Sequence, residues 1–195
     1  MRQGARSRHR VALTLLLAFL VLPELALLGF FSAGAVMSSP AALPHHADLV
    51  VVLGGGADRY PRARELVLAG NSERLLLINA SASERKDAKA RLPGIEVIFD
   101  DLPSNSWAEA LSVRALMQAG GWHTALVVSD PPHLLRVEYS WSSAFRGTGL
   151  SYTLISSDPP WWPGWRWWRN PYASSFVGEE VLKLGYYALH YRFGF

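Results

Sequence analysis

The chain has no cysteine among its 195 residues. That excludes disulfides, thiolate zinc sites and cysteine nucleophiles, and leaves the redox compartment open. Charge is also scarce, 18% against 50% hydrophobic, which is the composition of a packed chain and not of a disordered one. A basic surface is missing as well. Arg2, Arg6, Arg8 and Arg10 all precede the first apolar run, and beyond residue 36 fifteen basic residues face fifteen acidic ones. A neutral domain removes the case for nucleic-acid binding. No internal repeat is present, and the length suits one domain.

What is there begins with VALTLLLAFLVLPELALLGFFSAGAVM, residues 11–37, interrupted by Pro23 and Glu24. At 1.5 Å per residue a helix over this stretch crosses a ~30 Å hydrocarbon core. Glu24 costs roughly 3 kcal/mol near the bilayer centre, while each Leu, Val or Phe returns roughly 0.3–0.6 kcal/mol, so insertion is expected. Four arginines on its near side lead to the expectation that the N-terminus is cytoplasmic and the domain on the far side of the membrane. The rival reading is a signal peptide cleaved near Ala33-Gly34-Ala35. Glu24 is either a functional intramembrane acid or a charge tolerated beside proline. The expected organisation is a basic cytoplasmic tail (1–10), a transmembrane anchor (11–37), a linker (38–46) and an α/β domain (47–195). His45-His46 in the linker has no third ligand nearby and reads as plain linker, so no metal site is expected.

Beyond the linker, apolar runs alternate with helical patterns. Strands are expected at 49–53, 74–79, 95–99, 125–129 and 150–156. Helices fall between them, at RYPRARELVLAG, 83–91, WAEALSVRALMQAG and LLRVEYSWSSAF, with a last amphipathic helix at 175–191. This order predicts a Rossmann-like three-layer sandwich around a five-stranded, mainly parallel sheet.

In such sheets ligands bind beyond the carboxyl ends of the strands. The segments there are GGGADR, DDLPSNS and DPPHLLR. Gly54, Gly55 and Gly56 let backbone approach a ligand closely, with Arg59 next to them for an anion. They match neither the dinucleotide fingerprint, which needs spaced glycines, nor a Walker loop, which needs Gly-Lys-Ser/Thr. Ser104, Asn105 and Ser106 can cap a helix and contact a ligand at once. His133 and Arg136, three apart, face one side of a first helical turn, with Asp130 just before them. Arg136 suits a phosphate or carboxylate, and His133 suits proton transfer near neutral pH.

ADLVVVLGGG, a following helix with Arg62 and Gly70, PSNSWAEA and VVSDPPHLLRV together resemble the bacterial envelope family of unknown function that includes YdcF, SanA and ElyC. The resemblance covers residues 47 to about 190, and its most specific part is the His133/Arg136 block. It implies an inner-membrane protein concerned with the envelope barrier, peptidoglycan synthesis and the polyprenyl-phosphate carrier; no catalytic activity or cofactor comes with it. Three departures stand out. The family's helix-start Thr falls on Ser106, but its Glu falls on Ala108 and its Asn on Glu109. Its Ser-Gly-Gly after the second strand becomes Asn79-Ala80-Ser81. Its Thr-Ser pair after the fourth strand becomes Ser129-Asp130. Glu109, Asp130 and Glu84 are the acids within reach of replacing the missing carboxylate.

PPWWPGWRWWRNPY, residues 159–172, holds Trp161, Trp162, Trp165, Trp167 and Trp168, five of the eight tryptophans. Indoles with Arg166 and Arg169 suit a membrane interface or a lid over a lipid-like ligand, and equally a loop packed onto its own domain. The expected function is a membrane-anchored envelope protein that binds a phosphorylated precursor or carrier lipid through Gly54–Gly56, Arg59, Ser104–Ser106, Asp130, His133 and Arg136. If it is an enzyme, it is a transferase or hydrolase. Alternatives are a non-catalytic module of wall synthesis and a nucleotide-type small-molecule binder.

Overall fold

The computed structural model describes residues 2–191, with side chains from Leu13 onward. The side chains of Arg2, Arg6, Arg8 and Arg10, and residues 192–195 of the expected domain, lie outside these. Two compact units make up the chain, Met1–Ala33 and Gly34–Phe195. The first consists of helix α1 (Arg2–Ser38) up to Ala33. Its stretch Leu13–Ser38, 26 residues, is long and apolar enough to cross a membrane. Leu16, Phe19, Leu22, Leu25 and Leu28 are all more than half exposed, and a helix apolar all round fits hydrocarbon surroundings.

In the second unit the alternation read from sequence appears as β1 (Leu49–Val52), α2 (Arg59–Leu68), β2 (Arg74–Ile78), α3 (Ala82–Arg91), β3 (Glu96–Asp100), α4 (Ser106–Gly120), β4 (Thr124–Ser129), α5 (Leu134–Phe145), β5 (Ser151–Ser156) and α6 (Pro171–His190). Every strand pair is parallel, in the order β3-β2-β1-β4-β5. The register sets Val51 beside both Leu76 and Val127. Because the central strands β1, β2 and β4 are buried on both faces, their residues are almost continuously apolar and alternate between two cores, while the edge strands β3 and β5 are partly exposed. Val51, Leu76 and Val127 pack with Val113, Met117, Val137 and Trp141 of α4 and α5. Val50, Leu77 and Val128 pack with Ala63, Leu66, Ala88 and Leu92 on the α2 and α3 side. The result is a three-layer sandwich.

The sheet grows from β1 through β2 to β3, then crosses back to place β4 on the other side of β1. The crevice at that reversal, between β1 and β4, is where such sheets take ligands. At the opposite, amino-terminal edge Asp48 holds the same two strands together, accepting hydrogen bonds from His123 N (2.8 Å), Thr124 N (3.0 Å) and Thr124 Oγ1 (3.0 Å). These bonds, the His123 amide first, keep the Asp48 carboxyl below its ordinary pKa.

The final helix begins four residues earlier than its apolar pattern predicts. Asn170 Oδ1 accepts from Tyr172 N and Ala173 N, and Pro171 occupies the first turn, where its missing N–H costs nothing. The stretch before β1 is pinned to the domain, with Ala42 N donating to Leu154 O and Ala47 N to Asn71 O.

Candidate functional site

The chain leaves β1 through the glycine turn. Gly55 has φ +107°, a conformation other residues rarely adopt. Gly56 is needed for a different reason: a β-carbon there would lie 2.6 Å from Arg59 Nε and collide with the Asp130 carboxylate. Those two side chains form a buried ion pair, with Arg59 Nε and Nη2 at 2.9 and 2.8 Å from Asp130 Oδ2. Arg59 Nη1 donates to the carbonyls of Leu53 and Gly54, and Ser157 Oγ donates to Asp130 Oδ1 at 2.7 Å. The guanidinium therefore knits the end of β1 to the start of the loop after β4.

That loop is a single 3-10 turn, Pro131–His133, which runs directly into α5. It aims His133 at the neighbouring helix start. His133 Nδ1 lies 2.7 Å from Ser129 Oγ, and its Nε2 lies 3.0 Å from Ser106 Oγ. Ser106 is the first residue of α4; Asn105 before it caps the helix, accepting from Trp107 N and Ala108 N. In the first turn of α5, Arg136 Nη1 donates to the same Ser106 Oγ at 2.7 Å. Its Nε and Nη2 donate to Glu180 Oε2 and Oε1 at 2.7 and 3.0 Å, a two-point pair from α6. Tyr187 Oη stands 3.5 Å from Nη1, and Lys183 Nζ lies 3.4 Å from Glu180 Oε1.

Burial sets the protonation of this cluster. His133 is pushed well below the ordinary imidazole pKa, first by desolvation and then by the charges of Arg59, Arg136 and Lys183, so it is neutral at pH 7. Desolvation raises the carboxyl of Glu109, opposed by the hydrogen bond from Gly54 N (3.1 Å), by Arg59 and Arg136, and by the Ser106 hydroxyl. For Arg136 desolvation acts downward, but the hydrogen bonds and charge of Glu180 outweigh it and the net direction is upward.

These groups wall a cavity of about 700 Å³ at the carboxyl edge of the sheet. Of the residues expected from sequence, Gly54, Gly55, Arg59, Ser104, Asn105, Ser106, His133 and Arg136 line it. Gly56 instead lines a smaller adjoining cavity of about 290 Å³ that shares Gly54, Gly55 and Asn79 with the first. Asp130 lies behind Arg59, 2% exposed, and lines neither. The wall is completed by Glu109, by Asn79, which the sequence marks only as a departure after β2, and by Phe176, Glu180, Lys183 and Tyr187, which the sequence did not single out. Asn79 follows β2 at φ 51° and donates from Nδ2 to Pro103 O at 2.7 Å. Glu180 carried a legible signal: it occupies a buried stripe of α6 with Ala173, Val177 and Tyr187, where an unpaired acid is not tolerated.

The three acids considered as replacements for the one absent at Ala108 have different fates. Glu109 faces the cavity. Asp130 holds Arg59. Glu84 lines the smaller cavity but is engaged in a capping box at the start of α3, accepting from Ser81 N and Ser81 Oγ at 2.7 Å.

The tryptophan stretch is partly folded in. Trp161 stacks on Phe176 and donates from Nε1 to Asp58 Oδ2 at 3.0 Å. Trp167 is buried against Gly34, where a β-carbon would come within 2.5 Å of its ring. Trp165 is 62% exposed and carries Arg166 over its ring. Among the described residues no group of three or more His, Asp or Glu is placed to hold a metal ion. No family model, curated protein or solved structure matches the chain.

Proposed function

We propose that this is a membrane-anchored protein of the bacterial cell envelope whose cavity binds a phosphorylated ligand, a precursor or polyprenyl-phosphate carrier of wall synthesis. The observation that carries the reading is the cavity itself. It lies at the strand-order reversal and is lined by Arg59, Arg136 and Lys183 beside Glu109 and Glu180, with Asp130 paired behind Arg59 and Glu179 Oε2 3.0 Å from Lys183 Nζ. Three cations that converge on a cleft of about 700 Å³, each held in place by a carboxylate partner, present N–H donors suited to an anion. The envelope assignment rests on the resemblance carried by ADLVVVLGGG, PSNSWAEA and the His133/Arg136 block. The apolar helix Leu13–Ser38 supports anchoring, and the four arginines before it favour a cytoplasmic N-terminus with the domain on the outer side of the inner membrane.

A second reading is a binding module of wall synthesis without turnover. It is favoured by Ala108, which stands where the family carries a Glu, and by the guanidinium of Arg59, three of whose nitrogens are engaged by Asp130 and the β1 turn.

The test is to purify the full chain in detergent and identify by mass spectrometry what copurifies with it. A lipid-linked phosphate or pyrophosphate supports the reading. A nucleoside cofactor instead points to a nucleotide-type binder and contradicts it.

A further inference from the structure

Ser106 has the surroundings of a nucleophile. Its side chain is buried at the head of α4, 2% exposed, yet lines the large cavity. Three polar groups converge on its oxygen. Arg136 Nη1 donates to it at 2.7 Å, His133 Nε2 lies at 3.0 Å, and the carboxylate of Glu109, whose pKa the hydroxyl helps to hold down, stands beside it. Arg136 offers only donors, so the hydroxyl proton points to one of the two bases. His133 can take it, provided that its other nitrogen, Nδ1, carries hydrogen and donates to Ser129 Oγ at 2.7 Å. This is a serine–histidine pair whose imidazole is oriented by a third group, and its attacking oxygen already faces a fixed positive charge.

We propose that Ser106 is a catalytic nucleophile toward phosphate esters, with His133 as its base. This rests on the reading that the cavity takes a phosphorylated ligand, and adds that the ligand is turned over through a covalent phosphoserine. In the first step the Ser106 Oγ–P bond forms and the bond from phosphorus to the leaving oxygen breaks. The proton of Ser106 passes to His133 Nε2 and from there to the leaving oxygen. In the second step water attacks the phosphoserine. Its proton returns through His133 to Ser106 Oγ, and phosphate is released. Arg136 stabilises the alkoxide and the departing Oγ, and the charges of Arg59 and Lys183 balance the phosphoryl group. Neutral His133 is the protonation state this needs.

The experiment uses the detergent-solubilised full chain and two probes, diisopropyl fluorophosphate and p-nitrophenyl phosphate with acid quench, each followed by peptide mass mapping. Attack on the first forms the Ser106 Oγ–P bond and releases fluoride. The expected result is a diisopropylphosphoryl group or phosphate on Ser106, absent in Ser106→Ala and formed at least tenfold more slowly in His133→Asn. Circular dichroism confirms that each variant is folded, and Ser106→Ala, which removes one oxygen, is the variant that retains the fold if His133→Asn does not. Ser106 left unmodified by both reagents in the folded wild type overturns the proposal. Labelling that is slowed by Glu109→Gln and unaffected by His133→Asn overturns the assignment of the base. Calorimetric binding of inorganic pyrophosphate separates the two levels. If pyrophosphate binds and Ser106 stays unlabelled, the chemistry fails while the ligand reading stands; if neither occurs, both fail.

Discussion

The guanidinium of Arg136 and the carboxylate of Glu180, 44 residues apart, meet in a two-point ion pair in which Glu180 is 1% exposed. The pair fixes Arg136 against Ser106 and fastens α6 over the cavity. A buried pair is sensitive to the loss of one partner, because the other is left as an uncompensated charge. Glu180→Ala is therefore expected to cost about 3–5 kcal/mol, read as a lowered midpoint in urea denaturation. Replacing both residues by apolar ones of similar volume is expected to recover much of that stability and none of the anion binding.

Gly56→Ala tests how closely the glycine turn approaches the Arg59–Asp130 pair. The added methyl has no free space, with Arg59 Nε 2.6 Å away. Overpacking of this kind costs about 1–3 kcal/mol, and displacement of Arg59 weakens anion binding as well. Thermal melts and calorimetry on the same sample check both effects.

His133 is expected to stay neutral well below pH 6.5, because burial and then Arg59, Arg136 and Lys183 oppose its protonation. In the unfolded chain it takes up a proton near pH 6.5. As pH falls below that value the unfolded state binds the extra proton first, so this residue's contribution to stability declines until the folded pKa is reached. Nitrogen NMR of the labelled imidazole at pH 6 is expected to report a neutral ring with hydrogen on Nδ1. A doubly protonated ring at that pH contradicts the electrostatics described for the site.

Asp48 gives the opposite sign at the other edge of the sheet. Its folded pKa is depressed by the His123 and Thr124 hydrogen bonds. It therefore stabilises the fold fully above the unfolded value of about 3.9, and the effect is lost as pH falls through the folded one. Asp48→Ala is expected to lose about 1–3 kcal/mol at pH 7. The gap between variant and wild-type melting temperatures should close as the pH falls below about 4.

The fold was legible because the three central strands are buried on both sides. LVVV, RLLLI and TALVVS read as continuous apolar runs separated by helical spacing, and parallel crossovers leave few topologies. LLRVEYSWSSAF is helix α5 from its first residue to its last. The site was legible only where it lies next to a strand end. Gly54, Arg59, Ser106, His133 and Arg136 each follow a strand within a few residues or head the next helix. Glu180, Lys183 and Tyr187 come from the last helix, where an amphipathic pattern says which face packs but not against what. Asp130 shows the converse: sequence places it next to His133, and the structure turns it behind Arg59, a direction set by the Pro131-Pro132 turn and not by spacing.

Binding of a small phosphorylated ligand at the Lys183 side of the cavity is the most direct test. Lys183 lines the cavity, and its side chain is 45% exposed, so its removal is expected to spare the fold. Calorimetric titration of the detergent-solubilised full chain with inorganic pyrophosphate is expected to give saturable one-site binding. It should weaken roughly tenfold in Lys183→Ala, the loss of one charge-assisted contact, with an unchanged melting temperature. Absence of saturable binding in the wild type, or equal affinity in Lys183→Ala, contradicts the assignment of this cavity to a phosphorylated ligand.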